Sequence, residues 1–132
     1  KLIQAARLLG RGVSVMGTVV RGDGRGKKFG FPTANMSIQN GVIPPLGVYA
    51  VRVRIGEKIF GGMANIGRRP SFKKNGRVHL ETHIFSFHRS LYDQDIIVEF
   101  VQKIREERKF DSLPQFIAQL RRDRLQAQRI LS

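Results

Sequence analysis

Val48-Tyr49-Ala50-Val51-Arg52-Val53-Arg54-Ile55 is followed at once by Gly56-Glu57 and then by Lys58 to Ala64. Side chains alternate sides along an extended chain, so Tyr49, Val51, Val53 and Ile55 share one face while Arg52 and Arg54 point the other way. Gly56 supplies the positive φ that a type II′ turn requires at its first central residue, so Lys58 to Ala64 is expected to return as the antiparallel partner. Further along, Asn75-Gly76 is a second hairpin signal, followed by the alternating run Val78 to Phe85. Asp95 to Val101 reads as another strand. Toward the start of the chain, a short apolar helix precedes a strand from Val13 to Val20, and Pro44-Pro45 interrupts regular structure. Ser112 opens a last helix, with Gln115 three residues on as in a capping box, and Leu113, Phe116, Ile117 and Leu120 give it an apolar stripe. Several short antiparallel strands and one closing helix favour a mainly β small barrel, because closure removes the exposed edges of a flat sheet.

Composition narrows the possibilities. A chain of 132 residues fits one domain with a core of its own. There is no cysteine, so disulfide frameworks and thiolate chemistry are excluded, which suits a reducing cytoplasmic setting. No apolar run approaches the ~18 residues of a membrane span, and the start does not read as a signal peptide, so no membrane partner is expected. The chain begins at Lys1, and the apolar stripe Leu2, Ile3, Ala5, Ala6, Leu8 and Leu9 looks like the end of something longer. The formal charge of +14, from 24 Lys and Arg against 10 Asp and Glu, attracts polyanions: nucleic acid is one candidate and ATP another. Part of that charge sits in Arg121, Arg122 and Arg124, expected on a solvated helix face.

Three places can carry chemistry. Gly22-Asp23-Gly24-Arg25-Gly26-Lys27-Lys28-Phe29-Gly30 lets backbone amides approach an anion while its cations neutralise charge, although it lacks the Walker pattern and equally suits a flexible, lysine-rich loop. Pro32 holds Phe31 extended. Thr33 and Asn35 then project the same way, about 7 Å apart at Cα, and offer neutral oxygens suited to magnesium when a substrate brings the negative charge. Turn residues bonding their own backbone are the alternative there. On the next strand, Val78, Leu80, Thr82 and Ile84 share one face, leaving His79, Glu81, His83 and Phe85 on the other. A zinc site from His79, Glu81 and His83 is unfavourable, because the outer pair stands roughly 13 Å apart. A wet sheet face carrying polar residues and a catalytic carboxylate both remain open for Glu81.

The segments Gly30-Phe31-Pro32-Thr33-Ala34-Asn35, Gly47-Val48-Tyr49-Ala50-Val51 and Asn65-Ile66-Gly67 before Arg69-Pro70 together resemble the riboflavin kinase family. Leu80-Glu81 with His83, Leu91-Tyr92, Val98-Glu99-Phe100 and the stretch from Ile104-Arg105 to Phe110-Asp111-Ser112-Leu113 extend the likeness over nearly the whole chain from Gly10 onward. Leu8-Leu9-Gly10-Arg11 is similar to the junction in bacterial bifunctional proteins, where a riboflavin kinase follows an FMN adenylyltransferase domain. The resemblance implies a six-stranded antiparallel Greek-key barrel with a C-terminal α-helix over residues 11–132, with residues 1–10 a remnant of an interdomain helix or linker. It implies transfer of the ATP γ-phosphate to riboflavin, giving FMN and ADP, with Mg2+ as the metal. By the same resemblance, Thr33 and Asn35 hold magnesium and ATP phosphates, and the loop carrying Gly22, Gly24, Gly26, Lys27, Lys28 and Gly30 covers the nucleotide. Glu81 accepts the proton of the ribityl 5′-hydroxyl, Arg105 stands near the transferred phosphate, and Leu113 and Phe116 help enclose the flavin. Two residues depart from the pattern: Arg68, where a small hydroxyl residue is usual, and Asp93, where glycine usually follows Leu-Tyr. With no His-x-Gly-His pattern, adenylyl transfer is not expected of this piece. A basic nucleic-acid-binding barrel and a flavin-binding module without catalysis are the other readings.

Overall fold

A computed structural model describes residues 13–20, 31–40, 43–69, 77–87 and 89–132. Among them six strands and one helix follow in the order β1 (Val13–Val20), β2 (Ala34–Asn40), β3 (Gly47–Ile55), β4 (Lys58–Arg69), β5 (Arg77–Ile84), β6 (Asp95–Arg105) and α1 (Leu113–Leu131). Every pairing is antiparallel, and the sheet closes in the order β1-β2-β5-β4-β3-β6. Strands β3, β4 and β5 are consecutive neighbours, and β2 lies beside β5 at the far side, which is the Greek-key arrangement. The expected barrel with its C-terminal helix is therefore the observed one. None of the described helices is long and apolar enough to cross a membrane.

The β3–β4 hairpin forms as its residues dictate. Ile55 pairs with Lys58, Gly56 has φ +61°, and Glu57 is not among the described residues with positive φ, as a type II′ turn requires. The alternation seen in β3 delivers Tyr49, Val51 and Val53 to the barrel interior, where they meet Val15, Ile66, Leu80, Val98 and Phe100. The Tyr49 ring is wholly buried, edge-on to Phe100 at 5.2 Å, and its hydroxyl donates to the Pro45 carbonyl at 2.7 Å. Burial, with a smaller contribution from the Glu106 charge, pushes the Tyr49 phenol up, so it stays protonated and keeps that donor.

A second apolar layer lies outside the barrel. Phe31, Ala50, Met63 and Ala127 are buried between the wall and α1, with Phe85, Ile104, Leu120, Ile130 and Leu131 packed around them. The helix starts where Ser112 caps it, its hydroxyl accepting from the Gln115 amide at 3.3 Å. Its buried seam is displaced from the expected stripe: Leu113 is exposed, whereas Asp123 and Ala127 are the buried positions. Gly47 enters β3 at φ +145°, where a Cβ would lie 2.8 Å from the Arg105 carbonyl oxygen, so a residue without a side chain is required.

Other differences concern extent. β4 runs past Ala64 to Arg69, and β6 past Val101 to Arg105. β2 was not marked as a strand by the sequence; Ser37, Gln39 and Asn40 give it little apolar alternation, and its pairing with β1 slips between Met16 and Gly17. The apolar segment before Val13, the loop Gly22 to Gly30, the Asn75-Gly76 turn and the division at residue 10 lie outside the described residues.

Candidate active site

Registry across three strands assembles the site. Ala34 pairs with Thr82 and Met36 with Leu80; Thr82 in turn faces Ala64, and Leu80 faces Ile66. Those side chains line the interior, so the residues between them stand on the outer wall. There Asn35 of β2, Glu81 of β5 and Asn65 of β4 are direct cross-strand neighbours in one row. Neighbours of this kind have Cβ atoms about 5 Å apart. The row continues to Val20 on one side and to Val48 and Arg105 on the other. Pleating and ladder pairing thus bring together Asn35 and Glu81, which are far apart in sequence.

Asn65 was not singled out as a functional residue. Its side-chain oxygen is buried and has no hydrogen-bond partner. A buried acceptor left unpaired costs about 1–3 kcal/mol, so its presence beside Glu81 points to a ligand donor. The signal was present in sequence: Asn65 interrupts Ala64 and Ile66 at an outward position, but only once β4 is known to continue past Ala64.

The segment leading into β2 is held from beneath. Phe31 is buried, its ring edge-on to the His83 ring at 5.4 Å and under the Arg124 guanidinium of α1 at 5.2 Å. His83 Nδ1 lies 2.7 Å from the Pro32 carbonyl oxygen. Burial is the largest influence on His83 and lowers its pKa, the Pro32 hydrogen bond opposes this, and the Arg124 charge adds to the lowering. Two expectations are corrected here. The outer face of β5 is not wet throughout, because α1 and Phe31 cover it at His83, and Arg124 stacks on that cluster instead of being fully solvated. Thr33 and Asn35 follow as half-buried residues.

Arg105 lies three strand spacings along the wall from Glu81, about 14 Å of backbone. Its Nε and Nη2 donate to the Asp123 carboxylate at 3.0 and 2.8 Å, and its Nη1 donates to the Glu106 carbonyl at 3.1 Å. These bonds occupy three of the five N–H groups of a guanidinium. At the start of α1, Phe116 meets Phe110 edge-on at 5.4 Å, and Arg105 and Arg108 lie over the Phe110 ring. Phe110 and Phe116 thus lie next to Arg105, and Leu113, one helical turn before Phe116, is exposed.

The Asp93 departure is accommodated by the backbone. Asp93 has φ +67° and sits third in a turn closed by the Gln94 amide bonding the Leu91 carbonyl, a position that favours glycine and that aspartate tolerates. Arg68 continues the β4 ladder opposite Val78. Gly22, Gly24, Gly26, Lys27, Lys28 and Gly30 lie outside the described residues, so their placement beside Thr33 is not part of this geometry.

Fold and register together define a small closed-barrel protein whose outer wall carries a glutamate on the strand between two asparagine-bearing strands. The chain belongs to the riboflavin kinase family: the flavokinase (riboflavin kinase) family model matches residues 9–131. It is 37% identical over 128 residues to the bifunctional riboflavin kinase/FMN adenylyltransferase of Bacillus subtilis, covering 95% of this chain and 40% of that protein. The protein of the same description from Escherichia coli K12 is 44% identical over 127 residues, covering 96% and 40%. The chain thus spans about 40% of the length of these curated relatives. Among solved structures, a chain described as a macrolide-efflux protein from Streptococcus pneumoniae superposes with TM-score 0.89 at 33% identity, covering 96% of this chain and 42% of that one. Riboflavin kinase from Trypanosoma brucei superposes with TM-score 0.62 at 20% identity, covering 89% and 78%, a likeness of fold.

Proposed function

We propose that this chain transfers the γ-phosphate of ATP to the 5′-hydroxyl of riboflavin, giving FMN and ADP. The observation that carries the reading is the row Asn35, Glu81, Asn65 on adjacent strands of a chain matched by the riboflavin kinase model over residues 9–131. In such a transfer the hydroxyl oxygen bonds to phosphorus as the bond to the ADP oxygen breaks, and the hydroxyl proton needs an acceptor. Glu81, on the strand between Asn35 and Asn65, would take that proton, and general bases of this kind contribute about 10²–10⁴-fold. Asn65 offers its unpaired oxygen to a second hydroxyl of the ribityl arm, orienting the nucleophile.

The described residues fit a magnesium ion. Thr33 and Asn35 are neutral, hard oxygen donors, suited to an ion whose charge is balanced by nucleotide phosphates, and they would hold it. Bound there, magnesium supplies neutralisation of the phosphate charge. The loop with Gly22, Gly24, Gly26, Lys27, Lys28 and Gly30 runs directly into this segment and is assigned to the nucleotide. Arg105, about 14 Å along the wall from Glu81 and held by Asp123, belongs to the flavin side of the site, where Phe110 and Phe116 with Leu113 would take the flavin ring. The bifunctional relatives support an FMN adenylyltransferase domain in the full-length protein, and the lack of cysteine is in keeping with a cytoplasmic enzyme.

A nucleic-acid interface would use aromatic rings as stacking platforms. None of the described phenylalanines is exposed and Tyr92 is the one exposed aromatic ring among the described residues, too few for a stacking surface, which favours the kinase over that reading. The deciding experiment incubates the purified chain with ATP, magnesium and riboflavin. FMN and ADP are expected in equal amounts, Glu81→Gln is expected to lower turnover by about 10²-fold or more with an unchanged circular dichroism spectrum, and absence of FMN from the unaltered chain overturns the proposal.

A further inference from the structure

His83 has no part in the transfer just described, yet it is fixed on several sides. Its Nδ1 faces the Pro32 carbonyl at 2.7 Å, and its ring packs edge-on against Phe31 and Phe85, with centroids 5.4 and 5.7 Å away. A carbonyl oxygen only accepts, so Nδ1 carries the proton and donates. Pro32 lies just before the β2 ladder, and its carbonyl belongs to the peptide plane that includes the Thr33 nitrogen. Fixing that oxygen therefore fixes the direction in which the chain enters Thr33 and, two residues on, Asn35.

We infer that His83 is a positioning residue for the nucleotide side of the site: it anchors the Pro32–Thr33 peptide so that the oxygens of Thr33 and Asn35 are presented to the phosphate-bearing substrate, without itself touching substrate. The inference rests on the kinase reading and assigns a role to a histidine of β5 that sequence alone left as a strand-face residue. The packing explains why histidine is used. The Phe31 ring fills the space on one side and Arg124 closes over Phe31 from α1, so the imidazole is held against its acceptor by both barrel and helix. An apolar ring at position 83 would preserve the packing and lose the tether. The peptide plane is then free to rotate, and a displacement of about 1 Å at positioned groups costs up to about 10²-fold.

The test uses the purified chain and two variants. His83→Phe retains an aromatic ring and lacks the donor, whereas His83→Asn places an amide N–H close to where Nδ1 stands. His83→Phe is expected to raise KM for ATP with magnesium about tenfold and to leave KM for riboflavin within about twofold, and His83→Asn is expected to restore most of the loss. A merely structural role would shift both KM values and thermal stability together and would not be rescued by asparagine. The proposal is overturned if folded His83→Phe keeps the original KM for ATP, if both substrates are affected alike, or if ¹⁵N NMR of the unaltered chain shows the Nε2–H tautomer. An unaltered chain that makes no FMN yet shows the Nδ1–H tautomer would mean that the kinase reading has failed while the hydrogen bond stands.

Discussion

Thr82 is fully enclosed in the barrel interior, and its hydroxyl has no hydrogen-bond partner there. Alternation placed it correctly among the inward residues of β5, and only the packed neighbours show that its oxygen is stranded. Thr82→Val keeps the β-branched shape and removes the orphaned group, so it should raise unfolding free energy by about 1 kcal/mol in urea denaturation. His83 predicts a pH dependence. Its folded pKa lies below the ordinary 6.5, chiefly through burial, so the unfolded chain binds the proton more readily. Its contribution to stability is complete above about pH 6.5 and is lost as pH falls through the depressed folded value. Denaturation at about pH 7.5 and about pH 5 should show a smaller loss for His83→Asn than for the unaltered chain; equal losses would assign the acid sensitivity to other groups. At this scale Glu81, Thr33 and Asn35 were visible as candidates through the family resemblance. Asn65 and the His83 tether were not, because one needed the true end of β4 and the other a contact across 51 residues.

Helix α1 is attached to the barrel by an ion pair as well as by apolar packing. Asp123 is wholly buried and Arg105 mostly so, with Gln119 Nε2 donating to the same carboxylate at 2.8 Å. Removing one member of such a pair leaves the other enclosed and unpaired, so Asp123→Ala should destabilise the chain by about 3–5 kcal/mol, whereas replacing both members with apolar residues should recover much of the loss. Calorimetric or urea unfolding of the single and double variants checks both statements. The helix itself was readable from Ser112 and Gln115, but its inward face was not: a charged residue at its centre reads as solvent-facing until Arg105 is brought opposite by β6. The β3–β4 turn and the strand halves beside it were readable, since alternation and Gly56 are local signals, whereas the run of β4 from Asn65 to Arg69 was not. β2 was missed because its polar residues acquire strand geometry from β1 and β5 rather than from their own propensity.

At the scale of the whole molecule, a formal charge of +14 works against compactness through self-repulsion. Surface pairs such as Arg52 with Glu99 and Lys103 with Glu106 relieve little of it, since exposed pairs are worth about 0–1 kcal/mol. Shortening the Debye length from about 30 Å at ~0.01 M salt to about 8 Å at ~0.15 M should therefore raise the thermal midpoint; a fall would show that attractive pairs outweigh the repulsion. Sequence by itself determined that the chain is a small antiparallel barrel with a closing helix, because alternation, hairpin turns and a helix cap are written in neighbouring residues. It also named Glu81, Thr33 and Asn35 as candidates. Tertiary structure alone decided that Asn35, Glu81 and Asn65 share one row, that Asp123 faces inward on Arg105 and that His83 holds Pro32, because each depends on strand register and closure between segments remote in the chain.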